Sequence, residues 1–467
     1  MRTQRVLAAL LALGLASVCS DAKAPARICI TEFGAKPDTT FLSTEAIQKA
    51  IDKCASLGGG QVVFPAGDFK TGSIFLKSNV YLYLEEGATL YGSRKLEDYT
   101  PIKPAFLSFR TWVPTIQLIY GENVHDSGIC GKGTIDGQGE FYKKKYAKDE
   151  GIERPHLIRF VTSSDITVRD VNLRNAGCWM QHYLACDKVR LTGLRIFSRV
   201  TANNDAIDID GCHDVLIKGV TADSDDDGIT LKSTSPRMCE NIRIRDCTVS
   251  SHCNAIKLGT ETNGGFRNVS IRNCTVRPSD DQERIIFGKP RGLAGIALEI
   301  VDGGIMEHVR VSRISITGTL SPIFIRLGNR ARGYAENVPV TEVGRLSDIR
   351  LSNIRSKESG NIGCSITGLE GHPVEDILVR NVRLELEGAP ENIVDEPLEK
   401  PGAYPECNMF GTLPAKGFFI RHARGIRFRN VAIKTLNPDP RPDIVTVDCV
   451  DMKTPMISST SQAGADR

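Results

Sequence analysis

Short stretches of alternating apolar and polar residues recur along most of the 467-residue chain. Typical copies are CHDVLIKGVTA, CENIRIRDCTV and FRNVSIRNCTV, and each contains two strand-like segments of period two separated by a polar or glycine kink. The first buried position of each copy is predicted at Ile166, Val189, Val215, Ile242, Val269, Val309, Ile349, Ile377 and Ile426. The first four intervals between these positions are 23, 26, 27 and 27 residues, which is typical of the coils of a β-solenoid.

One such unit cannot bury its apolar face alone, but stacked units form a continuous apolar interior. We therefore predict an all-β, single-stranded parallel β-helix. The later intervals of 40, 40, 28 and 49 residues indicate loop insertions. The units are too short for the four-stranded blades of a β-propeller.

An N-terminal helix is predicted to cap the solenoid, because residues 43–54 place apolar side chains on one helix face and three glycines follow.

Before this helix, Arg2 and Arg5 precede an apolar run, and a small-x-small pattern ends at Ala22. This pattern predicts a signal peptide over residues 1–22 and a secreted or periplasmic protein. Residues 23–467 contain no linker and are predicted to form one domain. No later apolar run reaches the length of a membrane span.

Charge and cysteine content bear on which partners and metal sites the protein can have. The 59 basic and 56 acidic residues give a net charge of +3 without a basic tract, so no nucleic-acid partner is expected. Cys19 would be a lipid anchor in an alternative interpretation, although its flanking residues fit poorly. Without it, thirteen cysteines remain, and we expect buried thiols with one or two disulfides. No metal site is expected, because no CxxC pair occurs and the eight histidines are scattered.

Acidic side chains are concentrated in three consecutive coils. Asp205 lies 21 residues before Asp226, and Asp227 lies 25 residues before His252, so these side chains should stack on one surface. Crowded carboxylates acquire different pKa values, and one acid and one base are what glycoside hydrolysis requires. Aspartates also favour turns. That interpretation is preferred for three other aspartates, which are Asp208, Asp210 and Asp225.

Five motifs occur in order along the chain, and the last three of them are about one coil apart. They are ITEFGAKPD, VVFPAG, NNDAIDID, DDGITLKS and SHCNAIKLGTE. With them the chain resembles glycoside hydrolase family 28, the polygalacturonases and rhamnogalacturonan hydrolases. The resemblance implies a right-handed β-helix without a cofactor that hydrolyses, with inversion, α-galacturonosyl linkages of homogalacturonan oligomers or rhamnogalacturonan. A pectic oligosaccharide or polysaccharide is the implied partner.

The resemblance also implies roles for individual residues. Asp226 would be the general acid, and Asp227 would share the activation of water with Asp205. His252 would support the hydrogen bonding of the acid. In an alternative register, the catalytic pair would be Asp225 and Asp226.

The chain departs from the family at an Arg-Ile-Lys motif, where residues 295–299 read GIALE. Lys257, Arg291 and Arg326 are the candidates for binding the substrate instead, with Lys289, Arg330 and Arg332 nearby. Because Ala297 offers no donor and Glu299 would repel a carboxylate, we expect a preference for short or rhamnose-containing pectic chains. Residues 404–417 are expected to shape the groove. The competing functions are a Ca²⁺-dependent pectate lyase and a glycan-binding solenoid without catalysis.

Overall fold

The computed structural model describes residues 26–111, 115–143, 154–281, 283–286, 288–454 and 457–461. The predicted signal peptide lies outside these residues. The α-helices are α1 (Thr44–Ser56) and α2 (Glu140–Lys143), and two 3₁₀ turns cover Ile30–Phe33 and Leu96–Asp98. The remaining regular structure is β-strand.

The strands form a single right-handed parallel β-helix, as the repeat and the resemblance predicted. One sheet, called the cleft sheet below, contains β4 (Ile74–Phe75), β7 (Gln117–Glu122), β10 (His156–Val161), β13 (Gln181–Leu184), β16 (Ile207–Asp210), β19 (Ile229–Ser233), β22 (Asn254–Thr262), β26 (Gly292–Ile300), β28 (Thr319–Leu327), β30 (Cys364–Thr367), β32 (Phe418–Arg424) and β34 (Ile444–Val450).

Two further sheets complete the coils. The second contains β1 (Ala26–Cys29), β2 (Gly60–Phe64), β5 (Val80–Leu84), β8 (His125–Gly131), β11 (Ser164–Arg169), β14 (Arg190–Thr192), β17 (His213–Lys218) and β20 (Cys239–Arg245). The third contains β3 (Gly67–Thr71), β6 (Ala88–Gly92), β9 (Thr134–Asp136), β12 (Asn172–Arg174), β15 (Arg195–Ser198), β18 (Thr221–Ser224), β21 (Thr248–Ser251) and, at its end, β35 (Ile457–Ser461). The longer strands β23 (Gly265–Val276), β27 (Ile305–Thr317), β29 (Arg345–Ser359), β31 (Val374–Leu386) and β33 (Arg427–Thr435) run through both. A separate antiparallel pair joins β24 (Ile285–Ile286) and β25 (Lys289–Pro290).

The apolar interior is built from equivalent positions of successive coils. In the second sheet, Val215, Ile242, Val269, Val309 and Ile349 pair in register, and each is almost fully buried. All nine positions predicted from the repeat are buried, so this prediction is confirmed. Burying one such side chain contributes roughly 1.5–3 kcal/mol, so the stack of coils supplies the core.

The predicted kinks lie where the second sheet turns into the third. Gly219 and Asn273 have φ angles of 63° and 55°, in the left-handed region that glycine and asparagine tolerate best. Side chains at these kinks also bond from coil to coil, as where Asn273 Nδ2 donates to Asp246 Oδ1 at 2.7 Å. The polar residues between the two strand segments therefore fix the shape of each coil.

Helix α1 packs against the first coils and confirms the predicted cap. Its buried residues are those of the predicted apolar stripe, namely Ala46, Ile47, Ala50, Ile51 and Cys54. It covers strand edges that would otherwise be open to pairing. Within the described ranges, no helix has the length and apolar character needed to cross a bilayer.

The thirteen cysteines of the described ranges are all free thiols, and ten of them are buried. The expectation of mainly buried thiols is confirmed, whereas the expected one or two disulfides are not formed among these residues. Several thiols stack between coils, as where Cys212 Sγ donates to the Tyr183 carbonyl at 3.1 Å. The cysteines therefore fill the interior as small apolar side chains.

Candidate active site

The outer face of the cleft sheet carries a row of polar side chains. Strand register places them one above the next, and the row continues into apolar residues. In order, the row is Arg159, His182, Asp208, Thr230, Lys257, Ala297 and Phe324. Because parallel strands lie about 4.8 Å apart, neighbouring members of the row are within reach of each other.

Both ends of this face are covered by apolar clusters. At the N-terminal end, Ile102 and Phe106 pack against a cluster of Tyr120, Val161 and Leu184. At the other end, Ala297 and Phe324 belong to a cluster with Cys407, Phe410 and Leu413, which come from the long segment between β31 and β32. The stretch between the two clusters lies over β16, β19 and β22 and is called the open cleft below. Its outward side chains on these strands are buried, and Asp226 beside them is partly exposed.

Three aspartates meet in this open stretch. Asp205 precedes β16, and Asp226 and Asp227 precede β19. One carboxylate oxygen of each lies within 4.8 Å of those of the other two. Asp205 and Asp227 are only 3% exposed, whereas Asp226 is partly exposed. The structure thus brings together the three aspartates that the coil spacing predicted.

Asp227 is surrounded by donors. Lys257 Nζ donates to its Oδ2 at 3.0 Å, and the backbone and side-chain nitrogens of Asn254 donate to its Oδ1 at 3.1 and 2.9 Å. Burial alone would raise the pKa of Asp227, but Lys257, Lys232 and Asn254 outweigh it and hold that pKa below its usual value. Asp227 is therefore the ionised member of the cluster.

The pKa of Asp226 shifts in the opposite direction. Its Oδ2 accepts a bond from Asn203 Nδ2 at 3.3 Å, and its Oδ1 accepts one from the Asp227 backbone nitrogen at 2.9 Å. Burial and the charge of Asp227 raise its pKa. The pKa of Asp205 is raised well above its usual value by burial and by Asp208, with Lys232 opposing at 3.6 Å. When the cluster takes up protons, they therefore bind Asp226 and Asp205 before Asp227.

His252 contacts a different aspartate from the one predicted. Its Nδ1 lies 3.4 Å from Asp225 Oδ1, and Arg284 Nη1 donates to the same oxygen at 2.7 Å. Burial opposes ionisation of Asp225, but His252 and Arg284 hold its pKa below the usual value. His252 Nε2 is buried without a hydrogen bond to the described residues. Asp225 thus faces His252 and Arg284, and the three-aspartate group contains Asp226 and Asp227 instead.

The three predicted substrate-binding cations have different environments. Lys257 lies in the cluster, 1% exposed, and also lies 3.4 Å from the Tyr404 hydroxyl. Arg291 donates to Glu387 at 2.8 Å. Arg326 is buried and donates to the Glu399 carbonyl at 2.8 Å. The structure does not bring Arg291 and Arg326 to the aspartates, because their guanidinium groups bind Glu387 and the Glu399 carbonyl, and substrate binding by these two residues stays a prediction.

The stretch that replaces the Arg-Ile-Lys motif also lies outside the open cleft. Ala297 is fully buried within the C-terminal apolar cluster. Glu299 is fully buried, its oxygens make no hydrogen bond to described groups, and burial raises its pKa to about 8. The expectation that Glu299 repels a carboxylate is wrong, because near neutral pH its side chain is mainly uncharged.

Lys232 is a central residue that the sequence reasoning missed. Its Nζ lies 3.6, 3.5 and 3.6 Å from carboxylate oxygens of Asp205, Asp208 and Glu261. Burial raises the pKa of Asp208 to about 8, so Asp208 is part of the site and not a simple turn residue. The sequence contained a signal for Lys232, because strand alternation points its side chain outward one coil after Asp210. Asp210 lies in strand β16 and not in the predicted turn, and its Oδ2 accepts from the Thr234 hydroxyl at 2.6 Å.

Glu406 and Tyr404 are further site residues from the long segment between β31 and β32. The Tyr404 hydroxyl contacts Thr260 Oγ1 at 3.0 Å. Burial raises the pKa of Glu406 to about 7, and Lys257 opposes that shift. The sequence pointed to this loop only as a wall of the groove.

A family model described as glycosyl hydrolases family 28 matches residues 54–400, which is more than half of the chain. A probable polygalacturonase of Vitis vinifera is 32% identical over 214 residues, 44% of either chain. An exo-poly-alpha-D-galacturonosidase of Dickeya chrysanthemi is 42% identical over 134 residues, 27% of this chain and 22% of its own. The matched parts therefore span less than half the length of these relatives.

Solved structures of similar fold include two exopolygalacturonases. The Yersinia enterocolitica family 28 enzyme has a TM-score of 0.68 at 18% identity, covering 92% of this chain and 79% of its own. The Thermotoga maritima enzyme has a TM-score of 0.64 at 23% identity, covering 77% and 87%. At this level of identity, the likeness concerns the fold.

Replacing Lys257 by Met should raise the pKa of Asp227, because the ammonium group at 3.0 Å that favours the carboxylate is lost. Carboxyl ¹³C NMR titration of aspartate-labelled protein, with the Asp227 signal assigned from Asp227→Asn, would measure the shift. Lys434→Met, at a partly exposed pair with Glu385, is the matched control and should leave the signal unchanged. An unchanged Asp227 pKa in Lys257→Met would contradict this account of the charge balance.

Proposed function

The chain belongs to glycosyl hydrolase family 28, and on that premise we propose that it hydrolyses a glycosidic bond of a pectic polysaccharide with Asp226 as general acid and Asp227 as general base. The observation that carries the proposal is the opposite pKa shift of two adjacent carboxyls in the open part of the cleft. Such a split supplies the protonated and the ionised group that acid/base hydrolysis needs.

In the proposed reaction, Asp226 gives its proton to the glycosidic oxygen as the bond to the anomeric carbon breaks. A water molecule attacks that carbon and passes a proton to Asp227. Asp205 forms a hydrogen bond with the same water, as the donor when it is protonated and as the acceptor when it is ionised. Its raised pKa leaves Asp205 less often ionised than Asp227, so in the proposal Asp227 takes the proton and Asp205 positions the water.

The separation of the carboxyl groups bears on the stereochemistry of hydrolysis. Inverting glycosidases generally hold their two carboxyls about 6.5–9.5 Å apart, and retaining enzymes about 5–5.5 Å apart. Here one oxygen of each carboxyl lies within 4.8 Å of one oxygen of each of the others, so the prediction of inversion rests on the family resemblance. A single water still fits between two oxygens at this distance, since each hydrogen bond spans about 2.7 Å.

Other groups act through the aspartates in this proposal. Lys257 keeps Asp227 ionised, and Lys232 compensates the charge of the buried acids. His252 and Arg284 hold Asp225 in place beside the acid. These four are positioning residues.

We propose a pectic substrate because the relatives with similar sequences are named for galacturonan cleavage. The expected preference for rhamnose-containing chains assumed that Ala297 and Glu299 face the substrate. Both residues are buried outside the open cleft, so the structure does not support that assumption. Export from the cell stays a prediction from residues 1–22 of the sequence.

Asp226→Asn and Asp227→Asn should each lower turnover of pectic oligomers by about 10²–10⁴ without loss of folding, because a group that transfers a proton is removed. Reducing-end assays together with thermal melting would measure both properties. Asp246→Asn, on an outward turn, is the control and should be fully active. Asp225→Asn should retain more activity than either. A dead Asp225→Asn beside an active Asp227→Asn would place the catalytic pair one residue earlier.

Hydrolysis should invert the anomeric configuration, because water and not a carboxylate is the proposed attacking group. Proton NMR of the first product, recorded before mutarotation, distinguishes the two anomers. A product of retained configuration would show that one of the closely spaced aspartates forms a covalent intermediate.

A lyase reaction is the second candidate, since three carboxylates within 4.8 Å could hold Ca²⁺. Two buried ammonium groups already contact this cluster, Lys257 at 3.0 Å and Lys232 at 3.6 Å, which disfavours a divalent cation. We therefore expect new reducing ends, no ultraviolet-absorbing product and unchanged rates with a chelator. Ca²⁺-dependent formation of unsaturated products would favour the lyase, and binding without cleavage would favour a glycan-binding protein.

A further inference from the structure

Two arginines from different loops meet beside the open cleft. Arg110 lies in the segment between β6 and β7, and Arg332 lies in the segment between β28 and β29. The Arg110 guanidinium stacks on Trp179 at 4.4 Å, and that of Arg332 stacks on Phe109 at 3.8 Å. The aromatic faces therefore fix the orientation of both groups.

Both arginines depend on one carboxylate. Arg110 Nη2 and Arg332 Nη2 donate to the same oxygen of Glu261, at 3.3 and 2.7 Å. Lys232 lies 3.6 Å from the other oxygen of Glu261. Three cations thus share Glu261, and Lys232 has further acidic neighbours in Asp205 and Asp208. The two arginines therefore leave an excess of positive charge at this wall.

The pair retains unused donors and access to solvent. Arg110 Nε is buried and makes no hydrogen bond within the described part of the chain. The side chains of Arg110 and Arg332 are 27% and 34% exposed, whereas Lys232 is only 5% exposed. Planar guanidinium groups bind carboxylates through paired hydrogen bonds, so a carboxylate is the ligand that this wall suits.

The pair also lies within reach of the proposed chemistry. Asp205 contacts Lys232, and Lys232 contacts Glu261. Glu261 in turn contacts the arginines, so two side chains link Asp205 to the pair. Arg159 Nη2 donates to the Arg110 carbonyl at 2.7 Å, so the segment crosses the row of polar side chains two strands before Asp208. The Arg110 backbone therefore lies at the N-terminal end of the open cleft, and the guanidinium groups of Arg110 and Arg332 meet at Glu261 on β22.

We propose that Arg110 and Arg332 form a subsite that binds the carboxylate of a uronic acid residue of the substrate. The inference rests on the proposed function in that the substrate is a pectic chain. It places the recognition of acid sugars on two loops outside the repeat. Residues 295–299, where the family motif is lost, take no part in it.

Equilibrium binding tests the subsite independently of turnover. Isothermal calorimetry would measure the Kd of a galacturonate trimer in an Asp226→Asn background, with Arg110→Gln or Arg332→Gln added. Each added change should raise the Kd roughly 10-fold or more, since it removes charge-assisted hydrogen bonds. Arg110→Lys should lose less, because it keeps the charge. Arg345→Gln, at an exposed pair with Glu307, is the matched control and should not change the Kd.

The outcomes separate the subsite from the proposed function. A Kd that is unchanged in both arginine variants, or a parent protein that does not bind the trimer, would overturn the subsite. Thermal melting would identify a variant that fails to fold, and Arg110→Lys then carries the test. If the trimer binds through the arginines but the wild-type protein cleaves no pectic chain, the subsite stands and the proposed hydrolysis fails.

Discussion

In-register stacking of parallel coils is the constraint on which the rest of this molecule depends. Each coil places its residues about 4.8 Å above the equivalent residues of the previous one. Inside, this alignment turns Val215, Ile242 and Val269 into one buried row. Outside, the same alignment brings Asp205 close to Asp226 and Asp227, which cannot separate without breaking the strand ladder. Core and candidate site are therefore two consequences of one geometry.

The cost of crowding acids is met by buried ammonium groups. Lys232 and Lys257 are each nearly inaccessible and contact the aspartates directly. Buried ion pairs contribute little net stability compared with apolar residues of similar size, and removing one partner costs about 3–5 kcal/mol. Stability alone therefore does not account for this arrangement. What the two lysines influence is the order in which the carboxyls ionise, because Lys257 and Lys232 lower the pKa of Asp227, whereas burial and the Asp227 charge outweigh them at Asp226 and raise its pKa.

The parts of the structure that follow from the repeat were predictable from sequence, and the parts that come from insertions were not. Period-two alternation located the buried row, and coil-length spacing located the three aspartates, because both are local consequences of stacking. No such rule governs the segments before β7 and between β31 and β32. The burial of Ala297 beneath the second of them, and the pairing of Arg291 with Glu387, depend on contacts distant in sequence. Lys232 was missed because an outward lysine on a strand is normally solvated.

The inserted segments surround the end of β22 with unlike groups. Arg110 and Arg332 both bond Glu261 on this strand, and their charge exceeds that of this one carboxylate. Tyr404 contacts Thr260, the preceding residue of the same strand, and lies 3.4 Å from Lys257. Burial raises the pKa of Glu406 to about 7, so that near neutral pH it is partly an uncharged hydrogen-bonding group. Because Thr260 and Glu261 are neighbours, the proposed carboxylate subsite and the Tyr404 hydroxyl would contact adjacent parts of one bound sugar chain.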